Sequence, residues 1–117
     1  PVGLEWAGGL IAVAVPAEGA LLLVDGSTGK VARRIELRCW NTRDQQEGYL
    51  ALLPSGNIVA SSPQFGELWI VDPTEEEPQR LLQDGLPGVT AVALTPSGDL
   101  IASLTWENRL VRVPMVD

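Results

Sequence analysis

Few side chains of the kind that carry out catalysis are present in this sequence. Histidine is absent, and Cys39 is the only cysteine among 117 residues. The imidazole and thiolate ligands of the usual zinc sites are therefore missing, and a disulfide within the chain cannot form. Arg38 favours a reactive thiolate at Cys39 if the two side chains meet, although a lone cysteine at a strand end is more often a small buried hydrophobe. We predict no metal site and no cofactor.

The segment from 38 to 47 offers the richest set of ligand-binding groups, because it mixes an aromatic ring with charges of both signs. A protruding Trp40 beside arginine and asparagine provides ring stacking together with oriented hydrogen bonds. Two later loops, at residues 64–65 and 106–108, add further aromatic and polar side chains. Together with the segment 38–47 they could form a patch suited to a carbohydrate, a peptide or a protein. The predicted binding residues are Arg38, Trp40, Asn41, Arg43, Asp44, Gln64, Phe65, Trp106, Glu107 and Asn108.

Packing offers a second interpretation of the same aromatic residues. Trp40 is then a lid over a sheet, and Phe65 and Trp106 are plugs between neighbouring sheets. Trp69, which lies inside a predicted strand, is assigned to the core. Both interpretations of the loop residues stay open on the sequence alone.

The balance of charge limits the possible partners. Lys and Arg number 8 while Asp and Glu number 15, so the formal net charge is −7. Binding to nucleic acid or to an anionic membrane requires an excess of cationic side chains, which this chain lacks. The longest apolar run, Leu10 to Val15, is far shorter than the roughly 20 residues of a membrane-spanning helix. We predict no nucleic-acid partner and no direct membrane insertion.

An internal repeat indicates which elements must position these residues. Pro54–Ser61 recurs as Pro96–Ser103, at an offset of 42 residues. A weaker copy lies 47 residues upstream of the second, where Gly9, Ile11, Leu21, Val24 and Asp25 correspond to Gly56, Ile58, Leu68, Val71 and Asp72. The 12 glycines and 9 prolines fall between short apolar runs, a pattern typical of an all-β chain.

Each copy of the repeat is predicted to contain successive strands A to D. Strand A is predicted at Val2–Trp6, Gly48–Leu53 and Val89–Leu94; strand B at Leu10–Val15, Ile58–Ser62 and Leu100–Thr105; strand C at Ala20–Val24, Glu67–Val71 and Arg109–Val113; and strand D at Val31–Leu37 and Gln79–Leu82. The third copy is therefore incomplete.

Four antiparallel strands in about 40 to 45 residues make the blade of a β-propeller. We predict an all-β chain of blades over residues 1–47 and 48–88 and an incomplete blade over 89–117. A period of 42 to 47 residues gives about 2.5 to 2.8 blades, whereas closed rings have about 4 to 8. We therefore expect the ring to be completed by a protein partner, by self-association or by the rest of a longer polypeptide, and the start at Pro1 fits a processed or excised piece.

The turn Pro54-Ser55-Gly56, the strand after it and the run Leu68–Pro73 resemble the blades of NHL and YVTN propellers. Leu22–Val31 is similar to the Asp-x-x-Thr-Gly-Lys turn of quinoprotein-like blades. The Gly-His and Trp-Asp pair of WD40 repeats is not found. The resemblance implies a bacterial protein outside the cytoplasm, in the periplasm or at the cell surface, with a cytoplasmic location as the alternative.

Two classes of function follow from this architecture. The favoured one is a non-catalytic binding or scaffold module that contacts a protein, a small molecule or a carbohydrate. The alternative, implied by the resemblance, is a fragment of a lactonase-like or quinoprotein-like enzyme, with a metal or cofactor held at the ring centre by several blades. The carboxylates near the expected binding face are Glu18, Asp44, Glu47, Asp84 and Glu107.

Overall fold

The computed structural model describes residues 3–7, 9–40, 48–75 and 79–115, with side chains from residue 9 onward. Within these residues, strands form three antiparallel sheets whose strands are neighbours in chain order. Sheet 1 contains β1 (Gly3–Ala7), β2 (Leu10–Val15), β3 (Ala20–Asp25) and β4 (Val31–Glu36); sheet 2 contains β5 (Tyr49–Leu52), β6 (Ile58–Ser62), β7 (Glu67–Val71) and β8 (Gln79–Gln83); sheet 3 contains β9 (Val89–Leu94), β10 (Leu100–Leu104) and β11 (Arg109–Val113). The predicted all-β fold of antiparallel sheets is confirmed.

The repeat in the sequence is also a repeat in turn geometry. The turn between β5 and β6 is closed by Leu53, whose N–H donates to the Asn57 carbonyl at 2.8 Å, and the turn between β9 and β10 has the same bond from Thr95 to Asp99 at 2.7 Å. Each turn contains a glycine in the left-handed region, Gly56 at φ 94° in the first. Glycine adopts this φ without the steric penalty of a Cβ atom.

Short 3-10 turns interrupt the strand pattern at three places that the sequence analysis did not predict: Pro16–Glu18, Arg38–Trp40 and Thr105–Glu107. Two predicted strands are shorter for this reason. β10 ends at Leu104, because the 3-10 turn Thr105–Glu107 begins at the next residue. β4 ends at Glu36, shortly before the 3-10 turn Arg38–Trp40, and the Leu37 N–H still donates to the Gly19 carbonyl at 2.9 Å.

The sheets pack face to face in chain order, with β1 against β5 and β5 against β9. We call the face of each sheet that is directed toward the next sheet its forward face, and the opposite one its rear face. The forward face of sheet 1 (Ala12, Ala14, Leu21 and Leu23) packs on the rear face of sheet 2 (Ile58, Ala60, Trp69 and Val71). The forward face of sheet 2 (Val59, Ser61, Leu68 and Ile70) packs on the rear face of sheet 3 (Leu100, Ala102, Val111 and Val113). The core is thus two layers of side chains between three sheets.

The turn from the third to the fourth strand is built in the same way in sheets 1 and 2. Asp25 Oδ1 accepts hydrogen bonds from the Ser27 N–H at 2.8 Å and the Ser27 hydroxyl at 2.6 Å. Asp72 Oδ1 accepts the equivalent pair from Thr74, at 2.9 and 2.6 Å. These bonds lower the pKa of both carboxyls below the ordinary value of 3.8, mainly through the hydroxyl donors. A charged aspartate therefore initiates each of these turns.

Candidate functional site

Trp40 is the first predicted binding residue that the structure reassigns. Its side chain is fully buried between sheets 1 and 2, and its Nε1–H donates to the Ser61 carbonyl at 2.8 Å. The indole ring lies directly on Gly48, where an added Cβ would overlap it. The prediction of a protruding Trp40 is therefore wrong, and the lid interpretation describes its position.

Arg38 begins the 3-10 turn that carries Trp40 inward. Its backbone N–H donates to Gln79 Oε1 at 2.9 Å, and Gln79 Nε2 donates to the Glu36 carbonyl at 2.7 Å. These two bonds attach the end of β4 to the first residue of β8, while the Arg38 side chain stays exposed. Three further predicted binding residues, Asn41, Arg43 and Asp44, lie outside the described residues.

The two later loops are brought together by backbone hydrogen bonds through the segment that links sheets 2 and 3. The Gly88 N–H donates to the Pro63 carbonyl at 3.1 Å, and the Gly88 carbonyl accepts from Thr105 at 3.0 Å. We call residues 63–66, 86–88 and 105–108 the three-loop surface. It contains the predicted residues Gln64, Phe65, Trp106, Glu107 and Asn108.

Two aromatic rings stand out on the three-loop surface. Trp106 is 61% exposed and Phe65 is 48% exposed. The Trp106 ring rests on Gly88, where an added Cβ would overlap it. The surface therefore presents large apolar area to solvent on a backbone that is fixed by hydrogen bonds, an arrangement suited to non-covalent contact with a partner.

Polar groups border the exposed tryptophan. Thr105 Oγ1 lies 2.6 Å from Thr90 Oγ1 and 3.2 Å from Ser103 Oγ. Glu107 accepts a hydrogen bond from Arg109 Nε at 2.9 Å, and Asn108 ends the 3-10 turn in the left-handed region at φ 52°. A shallow cleft of about 280 Å³ lies beside these groups. Its lining residues are Ser103, Thr105, Asn108, Arg109 and Leu110. The sequence analysis named only Asn108 among these five residues, since nothing in the sequence shows that the hydroxyl groups meet.

Cys39 is placed where its thiol is inert. The side chain is 1% exposed and belongs to the core between sheets 1 and 2. Burial, followed by the negative charge of Glu67, raises the pKa of the thiol to about 12. The interpretation of Cys39 as a buried hydrophobe fits this position.

The carboxylates considered for a metal or cofactor site do not form a cluster in the described part of the chain. Glu18 pairs with Arg34 at 3.3 Å, and Glu107 pairs with Arg109. Asp44 and Glu47 lie outside the described residues. Across residues 9–40, 48–75 and 79–115, no three His, Cys, Asp or Glu side chains are grouped as metal ligands would be. The same residues include no helix long and apolar enough to cross a membrane.

The forward face of sheet 3 is a further candidate that the sequence analysis did not name. Its residues Ile101, Ser103, Leu110 and Arg112 correspond, at the offset of 42, to the forward-face residues of sheet 2. Leu68 is 0% exposed under sheet 3, whereas the equivalent Leu110 is 70% exposed. The surroundings of the two positions thus differ: sheet 3 covers Leu68 and β8 lies beside it, whereas in the described residues neither another sheet nor a fourth strand lies against Leu110.

The rear face of sheet 1 is the matching surface at the other end of the stack. Ile11, Val13, Leu22 and Val24 correspond, at the offset of 47, to residues of sheet 2 that pack against sheet 1. All four are partly exposed, and the neighbouring Val31 is 55% exposed. The stack therefore ends in an apolar surface on this side as well.

No protein-family model matches the chain, and no curated protein matches its sequence. Its fold is similar to the crystal structure of selenomethionine-substituted virginiamycin B lyase from Staphylococcus aureus, a β-propeller, with a TM-score of 0.69 over 98% of this chain. The chain has a β-propeller fold. At 10% identity the likeness concerns the fold alone, and the chain spans 41% of the lyase chain.

Proposed function

We propose that this chain is a non-catalytic segment of a β-propeller that acts as a binding and scaffold module, and that another chain or the rest of a longer polypeptide completes the ring across its two end faces. The observation that carries the proposal is the pair of equivalent leucines, Leu68 at 0% and Leu110 at 70% exposure. The forward faces of sheets 1 and 2 are each covered by the rear face of the next sheet, and this shows what kind of surface covers such a face.

The energetic argument is that open propeller faces favour association. Covering a leucine such as Leu110 contributes about 1.5 to 3 kcal/mol. The rear face of sheet 1 adds Ile11, Val13, Leu22 and Val24, which together form an apolar surface of the kind that marks interaction sites. This chain spans 41% of the lyase chain, so in a ring of that size more than half of the length is left for the completing polypeptide.

The three-loop surface is proposed as the place where the completed module contacts its ligand or partner. Exposed aromatic side chains on a rigid support are common anchors of protein and carbohydrate contacts. Trp106 and Phe65 supply the rings, and Glu107 with Arg109 supplies a polar border. Of the residues predicted in the segment 38–47, Trp40 is buried and is not part of this proposal. Arg38, Asn41, Arg43 and Asp44 stay predictions.

An enzymatic ring is the second candidate, as the resemblance to lactonase-like and quinoprotein-like blades implies; the likeness to the lyase concerns the fold and does not distinguish the two candidates. On this hypothesis the active site belongs to the completed ring, at its centre, and includes residues of the other polypeptide. Metal analysis and an absorption spectrum of the completed assembly distinguish the two candidates, because a stoichiometric metal ion or chromophore would favour the enzyme.

The type of repeat and the location of the protein are part of the proposal. We assign the blades to the NHL or YVTN type on the turn sequences around Pro54 and Leu68, and we place the protein outside a bacterial cytoplasm. Fractionation of the source cells, followed by detection of the chain with an antibody, tests this location.

Light scattering of the purified 117-residue chain tests whether the forward face of sheet 3 and the rear face of sheet 1 mediate association. We expect species heavier than 12.5 kDa that increase with concentration, and a lower association constant for Leu110→Glu and for Val13→Glu. Leu81→Glu is the matched control, since Leu81 is a 42% exposed leucine on the outer strand of sheet 2. A cooperatively folded monomer at all concentrations would overturn the proposal.

A further inference from the structure

The 3-10 turn that carries Trp106 has a counterpart in sheet 1, and the two turns differ in this side chain. Pro16–Glu18 and Thr105–Glu107 occupy the same position of the repeat. Each turn is closed by a backbone hydrogen bond from the residue that follows it, at 2.9 Å in sheet 1 and 3.3 Å in sheet 3. The residue equivalent to Trp106 is Ala17, which is also exposed. The turn therefore forms with an alanine at this position, and its geometry does not require the tryptophan.

The indole N–H of Trp106 is a hydrogen-bond donor that the described residues do not use. Trp40 Nε1 donates to the Ser61 carbonyl at 2.8 Å, and Trp69 Nε1 donates to Glu67 Oε1 at 3.0 Å. Within residues 9–40, 48–75 and 79–115, Trp106 Nε1 makes no such bond. Because the side chain is also 61% exposed, it offers a ligand both an open aromatic surface and a donor.

Three hydroxyl groups lie next to this ring. Thr105 directly precedes Trp106, and its N–H donates to the carbonyl of Gly88, the residue on which the ring rests. Thr105 Oγ1 lies 2.6 Å from Thr90 Oγ1 and 3.2 Å from Ser103 Oγ. Two hydrogen bonds among three hydroxyls use two of their three protons, so one O–H and most of the lone pairs stay available to a ligand.

The charges beside Trp106 cancel. Glu107 and Arg109 are the only charged residues between positions 103 and 110, and they pair with each other at 2.9 Å. The whole chain has a net charge of −7, which repels anionic ligands. The surface therefore favours an uncharged ligand.

A neutral sugar presents groups complementary to this arrangement. One face of a pyranose such as β-glucose carries C–H bonds, whose hydrogens pack on the electron-rich face of an aromatic ring. The hydroxyl groups around the pyranose both donate and accept, as the threonine hydroxyls do. A bound peptide would instead need backbone partners, but the N–H and the carbonyl of Gly88 are already bonded to Pro63 and Thr105. The side chains here thus match a saccharide better than a peptide.

We propose that the three-loop surface binds a neutral saccharide, with one pyranose ring stacked on Trp106 and hydroxyl groups of the saccharide bonded to the indole N–H and to Thr105. This inference rests on the proposed function, because it names the chemical class of the ligand that the surface contacts. The site itself is complete in this chain, since its three loops belong to sheets 2 and 3 and the segment between them.

Titration of the dilute chain with three neutral disaccharides, namely cellobiose, lactose and maltose, tests the proposal. We expect at least one of them to shift the indole N–H resonance of Trp106 in a ¹H–¹⁵N spectrum and to leave those of Trp40 and Trp69 in place. Trp106→Phe assigns the resonance by its loss. Cellobiouronate, the carboxylate analogue of cellobiose, is expected to bind more weakly because of the net charge of −7. A capped Ala-Leu-Ala peptide is expected to cause no shift.

Variants of the turn separate ligand binding from folding. Trp106→Ala gives the turn of sheet 3 the residue of sheet 1, so we expect an unchanged Tm and an affinity at least about tenfold lower. Thr105→Val is expected to lower the affinity about three- to tenfold, because the hydroxyl is lost at constant shape. Ala17→Trp, made in the Trp106→Ala chain, is the matched control. It places a tryptophan on the equivalent turn, where Pro16 stands in place of Thr105, and we expect it not to restore binding.

Four outcomes would each overturn the saccharide inference. They are the absence of a shift with all three disaccharides, undiminished binding by Trp106→Ala, restored binding by Ala17→Trp, and preference for the peptide or for the uronate. Preference for the peptide would make the surface a protein contact instead.

The saccharide inference and the proposed completion of the ring fail in different ways. If light scattering shows association through Leu110 and Val13 while no disaccharide shifts the Trp106 resonance, the saccharide inference is wrong and the scaffold module stands. If a disaccharide binds at Trp106 while the chain stays monomeric at every concentration, the end-face contacts are wrong and the saccharide site stands.

Discussion

At the scale of single residues, Trp40 shows how a loop side chain joins two sheets. Its ring fills the space above Gly48, and its Nε1–H satisfies the Ser61 carbonyl of sheet 2 at 2.8 Å. We expect Trp40→Phe to lower the free energy of unfolding by about 1 to 3 kcal/mol, because a buried carbonyl loses its donor and the smaller ring leaves a cavity. Urea unfolding followed by circular dichroism measures the change.

Trp106→Phe is the control for that substitution. Because Trp106 is 61% exposed, we expect a change within about 0.5 kcal/mol. Equal losses for the two substitutions would contradict the burial of Trp40 between the sheets.

The thiol of Cys39 gives a second prediction at this scale. Burial and the charge of Glu67 raise the pKa of Cys39 to about 12, so at pH 8 the thiolate fraction of the folded chain is on the order of 10⁻⁴. We expect a chromogenic disulfide reagent to react with Cys39 only as fast as the protein opens, and stoichiometrically in urea. Immediate reaction of the folded chain would show that Cys39 is accessible.

At the scale of elements, the aspartate turns predict how stability depends on pH. The pKa values of Asp25 and Asp72 are lower in the folded chain than the ordinary 3.8. A lowered folded pKa contributes stability that is complete above the ordinary value and is lost as the pH falls through the folded value. We expect Asp25→Asn and Asp72→Asn to lower Tm at pH 7 and to differ less from the wild type below pH 3.8, as measured by thermal unfolding.

Asp84→Asn is the control for the turn variants, since Asp84 is an exposed aspartate outside both turns. A Tm deficit of the turn variants that is as large at pH 2.5 as at pH 7 would mean that the carboxylate charge does not stabilise the turns.

The strands were predictable because their limits are set by local chemistry. Glycine-containing turns such as those at Gly56 and Gly98 recur with the repeat, and apolar runs fall between them. The 3-10 turns and the burial of Trp40 were not predictable, because they depend on contacts between distant segments. Gly48 contacts the indole ring and the Ser61 carbonyl accepts its N–H. In the sequence, nothing distinguishes these two residues from others at the start of a strand or within one.

The candidate site was predictable only in part, for the same reason. Trp106 and Phe65 were predicted as binding residues, but the sequence equally allowed them to be plugs between sheets; in the structure both are exposed. Their common surface depends on Gly88, which accepts from Thr105 and donates to Pro63. The sequence pattern also assigns Leu68 and Leu110 the same environment, but in the structure sheet 3 covers Leu68 and β8 lies beside it, and Leu110 has neither.

At the scale of the whole molecule, the repeat allows the same substitution to be compared at a covered and at an uncovered sheet. Leu68 and Leu110 are the same residue type at the same position of the repeat, with 0% and 70% exposure. A buried leucine lost to alanine costs about 2 to 5 kcal/mol, whereas an exposed one costs within about 0.5 kcal/mol. In the dilute chain we therefore expect Leu68→Ala to destabilise strongly and Leu110→Ala hardly at all.

Association is expected to remove this difference, because a sheet that covers the forward face of sheet 3 turns Leu110 into a core residue like Leu68. Urea unfolding of Leu110→Ala over a range of protein concentrations measures the effect. Its deficit relative to the wild type should grow as the wild type associates, since the bound state is stabilised by mass action. A deficit for Leu110→Ala that is large at every dilution would mean that Leu110 is already packed within the single chain. A deficit that stays small at every concentration would mean that no second polypeptide covers this face under those conditions.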